Sequence, residues 1–324
     1  MDERLALYEI AAEHKLDSRA LGRLQEIAGL GSEPRSLAHG LPRGIAVLAA
    51  ALAGLGIVFW IAANWDTLGR VGQFALLQGC VLVTCLAALW RPVVRLPMGL
   101  LALLAIGGLF AYFGQTYQTG ADAWQLFALW AALALPLCLG ARSDVLWAPW
   151  ALVAMTAVAL WVTAHTGHQW RALPDDLGAH LIGWAVAFAV VAALGSRRVT
   201  GAGIWALRTA LTPAVTMVTL GAIGGLFSRS VAGHYGLGLA LLVLAAVVLA
   251  RPRSFEVFGL SAVALGINAL LVAGLARLLF ENRSGGEPIG ELLLIGLAAA
   301  GLLAATVAGV LRLAQRAVAQ GEPA

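Results

Sequence analysis

The chain has 324 residues, 60% of them hydrophobic and only 12% charged, with a formal net charge of +4 and a mean hydropathy of +0.86. A soluble domain carries about a quarter charged residues, so this balance excludes a soluble globular protein and calls for a membrane one. Cys80, Cys85 and Cys138 all fall inside apolar runs, where a thiol behaves as a small hydrophobe, which excludes a disulfide framework and a cysteine metal motif.

The first forty residues are polar and carry two amphipathic stretches, "ERLALYEIAAEH" and "SRALGRLQEIAGLG". Asp17 and Ser18 stand as N-caps and Gly29 or Gly31 as a stop, so a pair of short helices lying on the membrane or on the bundle is expected. No charged-then-apolar-then-small pattern opens the chain, which argues against a cleavable signal peptide. Residues 1–40 are expected to form a cytoplasmic helical segment, 41–316 a transmembrane bundle and 317–324 a short cytoplasmic tail.

Ten apolar runs follow, at about 44–63, 71–90, 97–113, 123–140, 145–164, 178–195, 204–227, 234–250, 255–280 and 290–313. Each is long enough at roughly 1.5 Å per residue to approach a hydrocarbon layer of about 30 Å. The fold class expected is therefore all-α, a polytopic transmembrane bundle. An even number of spans places both termini on one side, and that side would hold fifteen basic residues against five on the other, with Arg208 just inside a span. Basic residues concentrate in short cytoplasmic loops, so both termini are expected in the cytoplasm of a bacterium, with the bundle in its inner membrane. The segments "LWRPVVR", "ARSD", "GSRRV" and "ARPRS" are short arginine turns on that side, suggesting a bundle built from helical hairpins. The hexapeptide "AIGGLF" occurs at Ala105 to Phe110 and again at Ala222 to Phe227. In a chain with 38 glycines this echo alone does not establish a duplication.

Polar residues collect at the opposite ends of the spans. "ANWD" closes the first and "GQTYQTG" the third, and Asp122, Trp124 and His180 open later ones. On a continuing helix Gln115, Gln118 and Asp122 would share a face. Trp and Tyr ordinarily mark a membrane interface, yet the density of amides here could line a cavity. Candidate ligand-binding residues are Asn64, Asp66, Gln115, Tyr117, Gln118 and Asp122.

Two of these stretches carry a resemblance. "GIVFWIAANWD", a glycine-rich span ending in Ala-x-Asn-Trp, and "FGQTYQTGADAWQLFALWAALALPL", with Gly-Gln-x-Tyr before a Trp-containing span, resemble the bacterial membrane proteins of the domain-of-unknown-function 2157 family. The resemblance covers about residues 1–150 and marks Asn64, Trp65, Gly114, Gln115 and Tyr117 as motif positions. It implies a polytopic inner-membrane protein and brings no biochemical activity with it.

Within the spans, Asn268 near the middle of the ninth is a further ligand-binding candidate, because an amide at membrane depth must find partners. Gln78 lies near the middle of the second span, and Thr209, Thr212, Thr216 and Thr219 form a helical stripe beside Pro213. The stripe reads first as hydroxyls bonding within or between helices. No acidic residue sits at mid-bilayer, which weighs against a pump coupled through a buried carboxylate. His165, His168, Asp175, Asp176 and His180 match no standard metal spacing, and nucleophile-elbow, phosphate-loop and zinc-protease motifs are missing. Neither a cofactor nor a metal nor a catalytic residue is expected, and the balance is against an enzyme. Two functions are expected to compete: binding or transport of a small solute or lipid through a periplasm-facing polar cavity, and a non-catalytic membrane subunit or scaffold for a protein partner. The lipid bilayer is the one assured partner, and nucleic acid is not expected.

Overall fold

The computed structural model describes all residues except 1–11, 18, 21–22, 24–34, 64, 118–119, 121, 168–171, 229–232, 252–255, 282–287 and 320–324. The two expected amphipathic helices lie mostly outside the described residues. Asp17 is described, and its Oδ1 accepts a hydrogen bond from the Ala20 amide at 2.8 Å, the interaction expected of an N-cap.

Ten long helices are described: α1 Arg35–Ala63, α2 Trp65–Trp90, α3 Arg95–Tyr117, α4 Ala123–Ala141, α5 Asp144–His165, α6 Leu177–Leu194, α7 Ile204–Leu226, α8 Gly233–Leu249, α9 Val257–Glu281 and α10 Ile289–Ala319. The described residues contain no strand. This all-α outcome follows from the solvent: apolar side chains favour the bilayer, and a helix satisfies its own backbone there. Nine of the helices are long and apolar enough to cross a membrane. The tenth, α8, has 17 residues, roughly 25 Å at the helical rise. The helices coincide with the ten apolar runs to within a few residues except at three places, one of them the end of α10, which continues to Ala319. α1 starts at Arg35, well before the apolar run, and carries Pro42 inside it. α2 starts at Trp65 but is broken at Gly69, whose φ of 60° and ψ of 160° are not helical; the apolar run begins where the regular helix resumes.

The chain divides into two units, Met1–Leu52 and Ala53–Ala324. In the second, α7 is central: 56% of its spanning window is buried within the protein, against none of that of α10. Ala206, Ala210, Ala214, Val218 and Ala222, one per turn, are all fully buried, because small side chains let neighbouring helices approach closely. Trp147, Ala151 and Met155 of α5 and Ala187 of α6 share one core cluster with the α7 alanines. Trp184 of α6, Leu242 of α8, and Val263 and Leu270 of α9 form another with the rest of α7.

The end of the bundle that carries the arginine turns is closely paired. Asp144, opening α5, accepts from the amides of Gly203 (2.9 Å), Trp205 (2.9 Å) and Ala206 (2.8 Å), so one carboxylate caps the start of α7. Gly201 has a φ of +84°, and a side chain there would collide with the Arg142 carbonyl; only glycine lets the two turns lie against each other. Trp147 Nε1 donates to the Thr200 carbonyl at 3.3 Å. Arg208 of α7 forms an ion pair with Glu256 at 2.7 Å, and Glu256 also accepts from the Phe258 and Gly259 amides that open α9. Arg208 therefore joins the arginine-rich end.

Candidate functional site

At the opposite end the described polar groups differ in how they are paired. Gln73 of α2 and Tyr112 of α3 are both buried, and the Tyr112 hydroxyl donates to Gln73 Oε1 at 2.6 Å. Phe74 packs edge-on against Tyr112 with ring centroids 4.6 Å apart. This is a buried polar contact between two helices.

A cavity of about 570 Å³ lies at the same end among α5, α6 and α7, lined by Thr163, Thr166, His180, Trp184, Met217 and Gly221 among others. The hydroxyls of Thr163 and Thr166 donate back to the carbonyls of Ala159 and Val162, both at 2.9 Å. His180, in the first turn of α6, places Nδ1 3.1 Å from the Asp176 carbonyl. A carbonyl only accepts, so Nδ1 carries the proton and a neutral His180 has its lone pair on Nε2.

Behind His180 stands His234, in the first turn of α8. It is 0% exposed, and its ring meets that of His180 perpendicularly with centroids 4.8 Å apart; Trp184 lies 6.4 Å away. Its Cβ and Cγ press against Gly225 of α7, where any side chain would clash. Among the described residues neither ring nitrogen of His234 makes a hydrogen bond of ordinary geometry; the Asp176 backbone, which already accepts from His180, is the polar group near enough to interact with it. The next residue, Tyr235, donates its hydroxyl to the Leu270 carbonyl at 3.1 Å. An unsatisfied buried polar group costs about 1–3 kcal/mol, so His234 is an exception among the buried polar groups of this bundle.

The candidates read from sequence fall as follows. Asn64 and Gln118 lie outside the described residues, and only the backbone of Asp66 and Tyr117, in α2 and α3, is described. Gln115 is exposed near the end of α3. Asp122 is exposed and accepts from Trp124 Nε1 at 3.3 Å. Trp124 stands 6.4 Å from the ring of His165, which is stacked on Trp161 at 4.3 Å and bonds to its carbonyl at 2.8 Å. Asp122 thereby belongs to a surface cluster at the end of α5, the helix that supplies Thr163 and Thr166 to the cavity. Asn268 is brought to none of these: its Nδ2 donates to Thr306 of α10 at 2.9 Å, and Thr306 donates in turn to the Leu302 carbonyl at 2.6 Å. The four threonines of α7 each donate to the carbonyl one turn earlier, at 2.8 to 2.9 Å. Among the described residues no group of three His, Cys, Asp or Glu side chains could hold a metal ion.

His234 escaped the sequence reading. A single histidine between glycines at the start of a short apolar helix has no periodicity, and its burial comes from Gly225 nine positions earlier. Gln73 and Tyr112 escaped it because their pairing spans two helices.

Comparison with curated proteins and with solved structures gives no match. The family model described as "Predicted membrane protein (DUF2157)" matches residues 9–147, the segment that carries the Asn-Trp and Gly-Gln-x-Tyr motifs. With its long apolar helices this makes the chain a multi-pass membrane protein whose residues 9–147 are similar to the DUF2157 family of predicted membrane proteins.

Proposed function

We propose that the protein sits in the bacterial inner membrane with both termini in the cytoplasm, and that it binds or conveys a small solute or lipid at the histidine-lined cavity on the periplasmic side. The orientation rests on the excess of arginines at one end, to which Arg208 adds through its ion pair with Glu256. The binding reading rests on one observation: a fully buried imidazole that makes no hydrogen bond of ordinary geometry among the described residues stands directly behind the one that lines the cavity. Polar groups at such depth are costly and accompany function. His180 would present an acceptor nitrogen, and Trp184, Met217 and Leu220 an apolar wall, so an amphiphile with a hydrogen-bond donor fits best. The segments holding Asn64, Asp66, Gln115, Tyr117, Gln118 and Asp122 would form the approach from water. Asn268 contributes through the pairing of α9 with α10.

The test is native mass spectrometry of the protein extracted gently from its host membrane. A bound small molecule is expected in the wild type and is expected to be lost in Thr163→Trp, which narrows the cavity from its exposed rim. The reading fails if no small molecule is bound, or if Thr163→Trp binds it unchanged. A stoichiometric protein partner found in its place would support the scaffold alternative.

A further inference from the structure

A second cavity, of about 680 Å³, lies toward the arginine-rich end and takes no part in the site above. Its shape follows from how α6 and α8 meet. Near the histidines the two helices touch, through His180 against His234 and through Trp184 over Gly238. Toward the arginine turns they diverge, leaving a crevice walled by Val191 and Ala192 of α6 and by Leu244 and Val248 of α8, with Leu207 and Leu211 of α7 as its floor. Its rim is exposed and apolar: Leu244 is 59% exposed and Ile204 46%. The crevice thus opens sideways, into the hydrocarbon of the leaflet that faces the arginine-rich end.

The charge around its mouth identifies the occupant. Glu256 is the acidic residue in the lining, and its charge is matched by Arg208 at 2.7 Å. The chain continuing from the α6 wall carries Arg197 and Arg198, and that continuing from the α8 wall carries Arg251; all three are exposed. Asp144, the other carboxylate at this end, is taken up by the amides of Gly203, Trp205 and Ala206, so the segments that leave the two walls carry three exposed arginines beyond the Arg208–Glu256 pair. An acyl chain gains little by leaving lipid for an apolar crevice, since both are equally apolar, so what would select an occupant is its headgroup. Basic pockets between transmembrane helices select anionic headgroups on this principle.

We propose that the crevice between α6 and α8 is a binding site for an anionic phospholipid, one acyl chain lying along Leu207 and Leu211 and the headgroup meeting Arg197, Arg198 and Arg251. The site is independent of the histidine cavity and stands or falls separately from the function proposed for it.

The test uses the full chain in mixed micelles holding equal amounts of phosphatidylglycerol and phosphatidylcholine, with bound lipid counted by native mass spectrometry. One phosphatidylglycerol per chain is expected, preferred by about fivefold or more over phosphatidylcholine, a factor of the size that one favourable arginine provides. Ala192→Trp, which fills the crevice from its exposed wall, is expected to abolish retention. The triple change R197Q/R198Q/R251Q, confined to exposed residues, is expected to remove the preference while leaving the thermal midpoint in place. Equal retention of the two lipids by the wild type would overturn the proposal, as would unchanged retention by Ala192→Trp or a second copy of the chain occupying the crevice in place of lipid.

Discussion

At Gly107 in α3 and at Gly225 in α7, a ring from the next helix lies where any side chain on the glycine would collide with it. Both glycines belong to an "AIGGLF" segment, and both let two antiparallel helices close on each other. The rings end differently. Trp130, well inside α4, covers Gly107 and donates its Nε1 hydrogen to the Leu103 carbonyl at 2.9 Å. His234, in the first turn of α8, covers Gly225 and makes no hydrogen bond of ordinary geometry among the described residues. The first contact is complete within the protein, whereas the second keeps a polar group in reserve next to a cavity. The register differs too, so the two are not copies. What they share is a backbone solution, a glycine under a ring, used once beneath an indole whose hydrogen bond is made and once beneath a buried imidazole that makes none of ordinary geometry among the described residues.

If that contrast is right, the complete contacts should be costly to break. Trp130→Ala removes a partly buried indole and its hydrogen bond together, and about 2–4 kcal/mol of stability should go with them. Unfolding in mixed detergent micelles, followed by tryptophan fluorescence, would measure it. A loss below about 1 kcal/mol would show that lipid replaces the indole without penalty and that the contact is not part of the framework.

The Gln73–Tyr112 bond sharpens the same point with a smaller change. Tyr112→Phe keeps the ring against Phe74 and removes the hydrogen bond that the hydroxyl gives to the buried Gln73 amide, so a loss of about 1–2 kcal/mol is expected. Adding Gln73→Leu should restore much of it, because removing both partners of a buried bond is cheaper than removing one. A double variant no more stable than Tyr112→Phe would mean that Gln73 is held chiefly by other neighbours.

The framework was legible in the sequence because the bilayer restricts what a chain can do: apolar runs of spanning length become helices, and the arginine turns mark where they reverse. Even the position of Asp17 as a cap and the back-bonding of the α7 threonines follow from local rules. The site was much less legible. Asn268 was visible as an amide at membrane depth, but its partner Thr306 lies in a different helix, and pairing across helices leaves no periodic trace. His180 stood out among polar residues at a span end, while His234 did not, since what makes it unusual is complete burial over Gly225. A sequence displays polar residues that are exposed or repeated; a buried one without an ordinary hydrogen bond shows only when the helices are packed.

The smallest expected effect is the most telling. His234→Leu keeps a Cβ and a Cγ to rest on Gly225 and removes two ring nitrogens that make no hydrogen bond of ordinary geometry among the described residues. Replacing an unsatisfied buried polar side chain by an apolar one of similar shape is close to neutral or stabilising, so the change in stability should lie within about 1 kcal/mol of zero and on the favourable side. Any small molecule held by the wild type should then be lost although the fold is intact, because the pair of rings behind the cavity is broken. A drop of more than about 2 kcal/mol would place His234 with Trp130 as part of the framework, and the contrast between the two glycines would disappear. A neutral variant that still holds its ligand would leave His180 as the residue that carries the site, with His234 no more than its packing neighbour.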